Sequence, residues 1–85
     1  MPDKIFQVAH QYQLFLERMK LHENNMHPQQ RLQLKQAFYG AVSQMLFLFR
    51  DDMAALDPGE AVEVFSGMLG ELSDYWNSYE IKPLK

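Results

Sequence analysis

The residues with chemical reach are few. Histidines stand at positions 10, 22 and 27, and Glu23 adjoins the second of them. Imidazole and carboxylate both ligate metals. However, zinc sites use three or four ligands at more regular spacing than His22 and His27 offer across a loop. Asp51 and Asp52 form a carboxylate pair, the raw material of acid–base chemistry. Adjacent residues on a helix diverge by roughly a quarter turn, so these two cannot share a substrate. Cysteine is absent, which removes thiolate metal sites, cysteine nucleophiles and disulfides together. No G-x-S-x-G, no H-E-x-x-H and no glycine-rich phosphate loop occurs. The sequence predicts no catalytic residue, no metal site and no cofactor, and so a protein that is not an enzyme.

Nucleic-acid chemistry has a little more to stand on. Arg18 and Lys20 precede a short connection, and Arg31 and Lys35 follow it four residues apart. Together they would form a basic end. Yet eight lysines and arginines face eleven acids, a formal charge of −3 that repels a phosphate backbone. No aromatic residue is expected near the four cations, which weakens them as a binding surface. A helix-turn-helix would need a basic recognition helix, and residues 58–77 hold no lysine or arginine. A nucleic-acid-binding regulator using this basic end is the alternative reading of function, and nucleic acid is not the expected partner.

The elements that carry these residues can be read from punctuation and period. A chain of 85 residues, 47% hydrophobic and 22% charged, suits one globular domain. A chain this small buries a modest core, and oligomerisation is the support left open once disulfides are excluded. The opening residues "MPDKIFQVAH" lack a basic stretch followed by an apolar core, and the longest apolar run is five residues, Met45 to Phe49. No signal peptide and no membrane span are expected, hence a cytoplasmic protein. Pro28 and Pro58 open apolar-periodic runs, as suits a first helical position. "DPGE" at 57–60 adds a capping-box pattern. Helices are expected near 3–23, 28–55 and 58–77. Short connections favour antiparallel neighbours. The expected fold is all-α, an antiparallel three-helix bundle with a long central helix. A single three-helix domain over 1–78 would be followed by an extended or disordered C-terminal tail over 79–85, with Tyr79 and Ile81 laid on the bundle.

The faces sharpen the picture. The first helix has a stripe through Ile5, Val8, Tyr12, Phe15 and Met19, widened by Ala9 and Leu16. The third has Ala61, Phe65, Met68, Leu72 and Tyr75, flanked by Val62, Leu69 and Trp76. Each is one-faced and should bury its stripe. The middle helix is apolar over more than half its circumference, from Leu34 to Leu56, as packing against two neighbours requires. Phe47 is the exception, falling among Gln36, Gly40, Ser43 and Gln44. With small Gly40, Ser43 and Ala54 on the same side, another backbone could approach it. Leu14 and Leu21, seven apart and off the stripe of the first helix, make a reserve patch. Gly67 and Gly70 interrupt the third helix beside Ser66 and Ser73. Close packing against a neighbouring helix is the expected reason, and a docking groove the sharper alternative. Asp52, inside the apolar arc, should cap a helix or pair with a cation.

These readings converge on a non-catalytic small helical protein-interaction module. It would be a homodimer that also occupies a surface of a larger protein partner, as regulator, inhibitor or adaptor. Phe47, Gly40, Ser43 and Ala54 are its candidate interface.

Overall fold

The structure, a computed structural model, describes residues 3–78. It is all-α, with three helices and a long central one: α1 Val8–Arg18, α2 Pro28–Asp51 and α3 Pro58–Asn77. Short 3₁₀ turns, Lys4–Phe6, Glu23–Asn25 and Met53–Ala55, precede each of them. Residues 79–85, including Tyr79 and Ile81, lie outside the described residues.

α3 starts where its chemistry demands. Asp57 has extended backbone, and its carboxylate accepts the Glu60 N–H at 2.9 Å. Glu60 Oε1 accepts the Asp57 N–H in return at 3.5 Å, while Pro58 fills the first helical position. Two donors orphaned at a helix start are satisfied reciprocally, and the missing proline N–H removes a third. α2 starts similarly, with His27 Nδ1 accepting the N–H of Gln29 at 3.1 Å.

α1 is shorter than the sequence suggests at both ends. Gln7 is extended (φ −97°, ψ 133°), so the helix starts at Val8 rather than near residue 3. The Gln11 side-chain amide bonds the Ile5 carbonyl at 2.8 Å and ties the preceding turn to the helix. At the other end, Lys20 takes φ 57°. The N–H groups of Lys20 and Leu21 then reach the carbonyls of Glu17 (3.1 Å) and Leu16 (2.9 Å). This paired closure satisfies carbonyls that an unfinished helix would leave open.

α2 also stops early, at Asp51 rather than 55. Asp52 N–H makes a last helical bond to Leu48 at 2.9 Å. Bonds three residues apart then take over, Ala55 to Asp52 and Leu56 to Met53. The Asp52 side chain makes no cap bond and is exposed, which corrects the expected capping or ion-pair role. Among the described residues, the carboxylate that pairs is Asp51, with Arg50.

The chain divides into two compact units, between Gln44 and Met45. In the first, α1 and the early turns of α2 meet at a ring cluster. Phe15 lies 5.0 Å and Tyr12 5.2 Å from Phe38, centroid to centroid, and Tyr12 lies 6.0 Å from Tyr39. Tyr12 and Leu16 are the buried residues here. In the second unit, Phe49 from the end of α2 meets Phe65 of α3 at 6.2 Å. Met53, Leu56, Ala61 and Met68 are half-buried around them.

Much of the expected core stays exposed. Met45, Leu46, Phe65 and Leu72, all placed on buried stripes by periodicity, are open to solvent. Periodicity identifies residues that share a face, but it is silent about what covers that face.

Candidate protein-interaction site

Phe47 projects from α2 with 53% of its surface exposed. It is not bare. The Arg50 guanidinium carbon lies 5.1 Å from the ring centroid, within cation–π reach. Arg50 is held in turn by a two-pronged bond to Asp51, Nε to Oδ1 at 2.6 Å and Nη2 to Oδ2 at 2.9 Å. That bond holds the Asp51 carboxyl below the usual carboxylate range and raises the Arg50 pKa. Arg50 thus stands between the exposed ring and the Asp51 carboxylate, a surface pair that contributes little to stability.

The small residues named with Phe47 are placed unequally. Gly40 stands seven residues before it on the same helix, and a Cβ there would meet nothing within 4 Å. Ser43 is also on α2, but its hydroxyl donates to the Tyr39 carbonyl at 2.8 Å and is not displayed as a free donor. Ala54 belongs to the 3₁₀ turn after α2, because the helix ends at Asp51. Gly40 and Ser43 fall in the first unit, Phe47 and Ala54 in the second.

Leu14 and Leu21 do not form a stripe along one helix. α1 ends at Arg18, and the left-handed Lys20 turns Leu21 back. Leu21 lines an open cleft of about 550 Å³ together with Leu16, Lys20 and Glu23. Among the described residues, no group of three or more His, Asp or Glu is placed to hold a metal ion.

The basic residues Arg18, Lys20, Arg31 and Lys35 are all exposed and all in the first unit. The expectation that no aromatic lies near them needs correction. The Lys35 ammonium stands 5.9 Å from the centroids of both Tyr12 and Tyr39. Tyr12 is 1% exposed, however, so its face is no platform for a stacked base. Its hydroxyl is buried without a close hydrogen-bond partner among the described residues. Burial raises the pKa of that phenol most, followed by the charge of the Glu23 carboxylate, by Tyr39 and by a weak hydrogen bond to Glu23, whose distance is longer than a close bond.

The surface that sequence reasoning missed lies on α3. Val62, Phe65, Leu69 and Leu72 are 65%, 44%, 49% and 48% exposed. The helix is continuous through Gly67 and Gly70, and a Cβ at either would meet nothing within 4 Å. Within the second unit, these glycines are therefore not closely packed against another element. Charge could have singled this unit out. Residues 45–78 carry seven acids and one cation, Arg50, whereas residues 3–44 carry three acids and five cations.

No helix among the described residues is long and apolar enough to cross a membrane. In comparisons with protein-family models, with curated proteins and with solved structures, nothing matches the chain.

Proposed function

We propose that this chain is a non-catalytic helical interaction module that self-associates through the Phe47 side of α2. In that role it occupies a surface on a larger protein as a regulator, inhibitor or adaptor. The observation that carries the reading is Phe47 itself. It is a large ring left 53% exposed, with the Arg50 guanidinium carbon 5.1 Å from its centroid. Aromatic and arginine side chains together are what interface centres favour. A small protein without disulfides gains stability by covering such a ring. Replacing Phe47 by glutamate should reduce the mass seen by light scattering to that of one chain, with helicity unchanged. Equal mass for both proteins would remove this interface.

The alternative, a nucleic-acid-binding regulator, rests on Arg18, Lys20, Arg31 and Lys35 being exposed in one unit. Mobility shifts with mixed DNA and RNA at low salt discriminate it. It requires retardation that is lost when Arg31 and Lys35 are replaced together.

A further inference from the structure

We propose that the start of α2 is a pH-sensitive latch, closed while the His27 imidazole is neutral and released when it takes up a proton.

The latch is one hydrogen bond. Pro28 opens α2 and has no N–H, so Gln29 supplies the first backbone donor of the helix. That donor meets His27 Nδ1 at 3.1 Å. The His27 carbonyl accepts the Arg31 N–H at 3.0 Å, so His27 holds the capping position with side chain and backbone together. Serine, threonine, asparagine or aspartate usually stands there, and the oxygens of the first three accept in neutral and mildly acid solution alike. Imidazole differs. Its ring nitrogen accepts only while it lacks a proton, and the protonated ring has two donors and no acceptor. Imidazole is also the side chain whose ordinary charge change falls between about pH 5 and 8.

Protonation opposes the helix twice. The Gln29 N–H loses its acceptor and faces another donor. A positive charge also arrives at the helix end whose own partial charge is positive. The neighbours do not offset it. α2 has no acid in its first turn, and its nearest charged residues are Arg31 and Lys35. The preceding 3₁₀ turn holds one acid, Glu23, whose carboxylate acts on the Tyr12 phenol, and beside it stands a second imidazole, His22. From α1, Glu17 and Lys20 line the open cleft that His22 and Glu23 share. His27 itself is exposed, and among the described residues no ion pair reaches it. The contribution of the bond is therefore present above the pH at which imidazole becomes charged, and it is lost as pH falls through that range. The latch holds the first turn of α2 and the connection that brings Glu23 to Tyr12. Phe47 belongs to the other unit, so this inference does not depend on the Phe47 interface.

The test compares the full chain with three variants on either side of the imidazole range, at about pH 7.5 and about pH 5. His27→Asn keeps a side-chain acceptor at both, His27→Ala has none, and His22→Gln removes the neighbouring imidazole but leaves the cap. Melting is followed by circular dichroism. At the higher pH the parent should melt above the His27→Ala variant; at the lower pH it should fall to that variant or below it, while the gap to His27→Asn widens. Amide exchange at Gln29, read by NMR in the folded protein, gives a local measure that does not depend on melting. Comparison with His27→Asn at the same pH cancels the pH dependence of exchange itself. Gln29 in the parent should exchange about fivefold faster than in His27→Asn at the lower pH, as loss of an ordinary cap implies, and at a similar rate at the higher pH. His22→Gln should keep the whole response. A parent indistinguishable from His27→Ala at the higher pH, or a gap to His27→Asn of the same size at both, overturns the proposal. So does a response that survives in His27→Asn and disappears in His22→Gln, because His22 would then be the titrating group.

Discussion

Leu21 donates its backbone N–H to the carbonyl of Leu16 at 2.9 Å, across a lysine held at φ 57°. That geometry closes α1, and it places a side chain where glycine is the usual residue. Lys20→Gly should therefore stabilise the protein. The left-handed conformation costs a residue with a Cβ about 1–2 kcal/mol, offset in part by glycine's greater freedom when unfolded, about 0.5–1 kcal/mol. A net gain of about 0.5–1 kcal/mol in urea denaturation is expected. Lys20→Ala keeps the Cβ and removes the charge, so it should show no such gain. If alanine gains as much as glycine, charge rather than backbone strain is responsible.

Tyr12 poses the opposite problem, an ill-satisfied group at the centre of the first unit. Its ring packs on Phe38 and Tyr39, while its buried hydroxyl has only the Glu23 carboxylate within electrostatic reach and makes no close bond to it among the described residues. A buried polar atom left unpaired costs about 1–3 kcal/mol, so Tyr12→Phe should leave stability unchanged or higher. The substitution should also alter alkaline unfolding. The folded phenol's pKa is raised above its ordinary value of 10.0. The unfolded chain thus ionises first, and the stability present below that value declines as pH rises through it. Phenylalanine removes this decline, so parent and variant should diverge at high pH. Greater sensitivity of the variant at neutral pH would mean that the hydroxyl has a partner in solution.

The cap of α3 gives a third expectation, on the acid side. Hydrogen bonding from the Glu60 N–H, then the Glu60 side chain, holds the Asp57 carboxyl below its usual range. A lowered folded pKa means that its contribution is present above the ordinary carboxylate pKa and is lost as pH falls through the folded value. Asp57→Ala should lower the melting temperature at neutral pH. The gap from the parent should close as both are acidified. A gap of constant size across that range would show that the carboxylate charge is not what caps the helix.

How far these features were legible follows from how local their causes are. The boundaries of α3 could be read because Asp57, Pro58 and Glu60 act on one another within four residues. The ends of α1 could not, because nothing about Lys20 as a residue type announces a left-handed turn. The early end of α2 was hidden for a similar reason: Met53, Ala54 and Ala55 continue a helical pattern, and only their hydrogen bonds reveal the switch to a tighter turn. Tyr12, Phe15 and Phe38 stood on expected stripes, but Tyr39 did not, and its ring joins the cluster all the same. For the candidate site, polar neighbours on the helix pointed to an exposed Phe47, but Leu46, expected on the buried arc, is 51% exposed beside Phe47's 53%, so the pattern did not separate the two. The face with Val62, Phe65, Leu69 and Leu72 was read as core instead, since spacing alone does not say whether a stripe is covered.

The helical glycines separate these roles experimentally. Gly40, Gly67 and Gly70 all lie inside helices, and a Cβ at each would meet nothing within 4 Å. In the single chain, alanine at any of them should add about 1 kcal/mol of stability, the cost of glycine in a helix interior. Their effects on assembly should differ. Gly67 and Gly70 lie on α3, away from the proposed Phe47 interface, so alanine there should raise the melting temperature without altering the light-scattering mass. Gly40 belongs to the interface expected from the sequence, which would bring a second backbone close to it. Gly40→Ala should therefore stabilise the monomer yet shift light-scattering mass toward a single chain at a given concentration. Stabilisation with unchanged association would mean that no backbone comes close to Gly40, and the interface would then have to be carried by Phe47 and Arg50 without it.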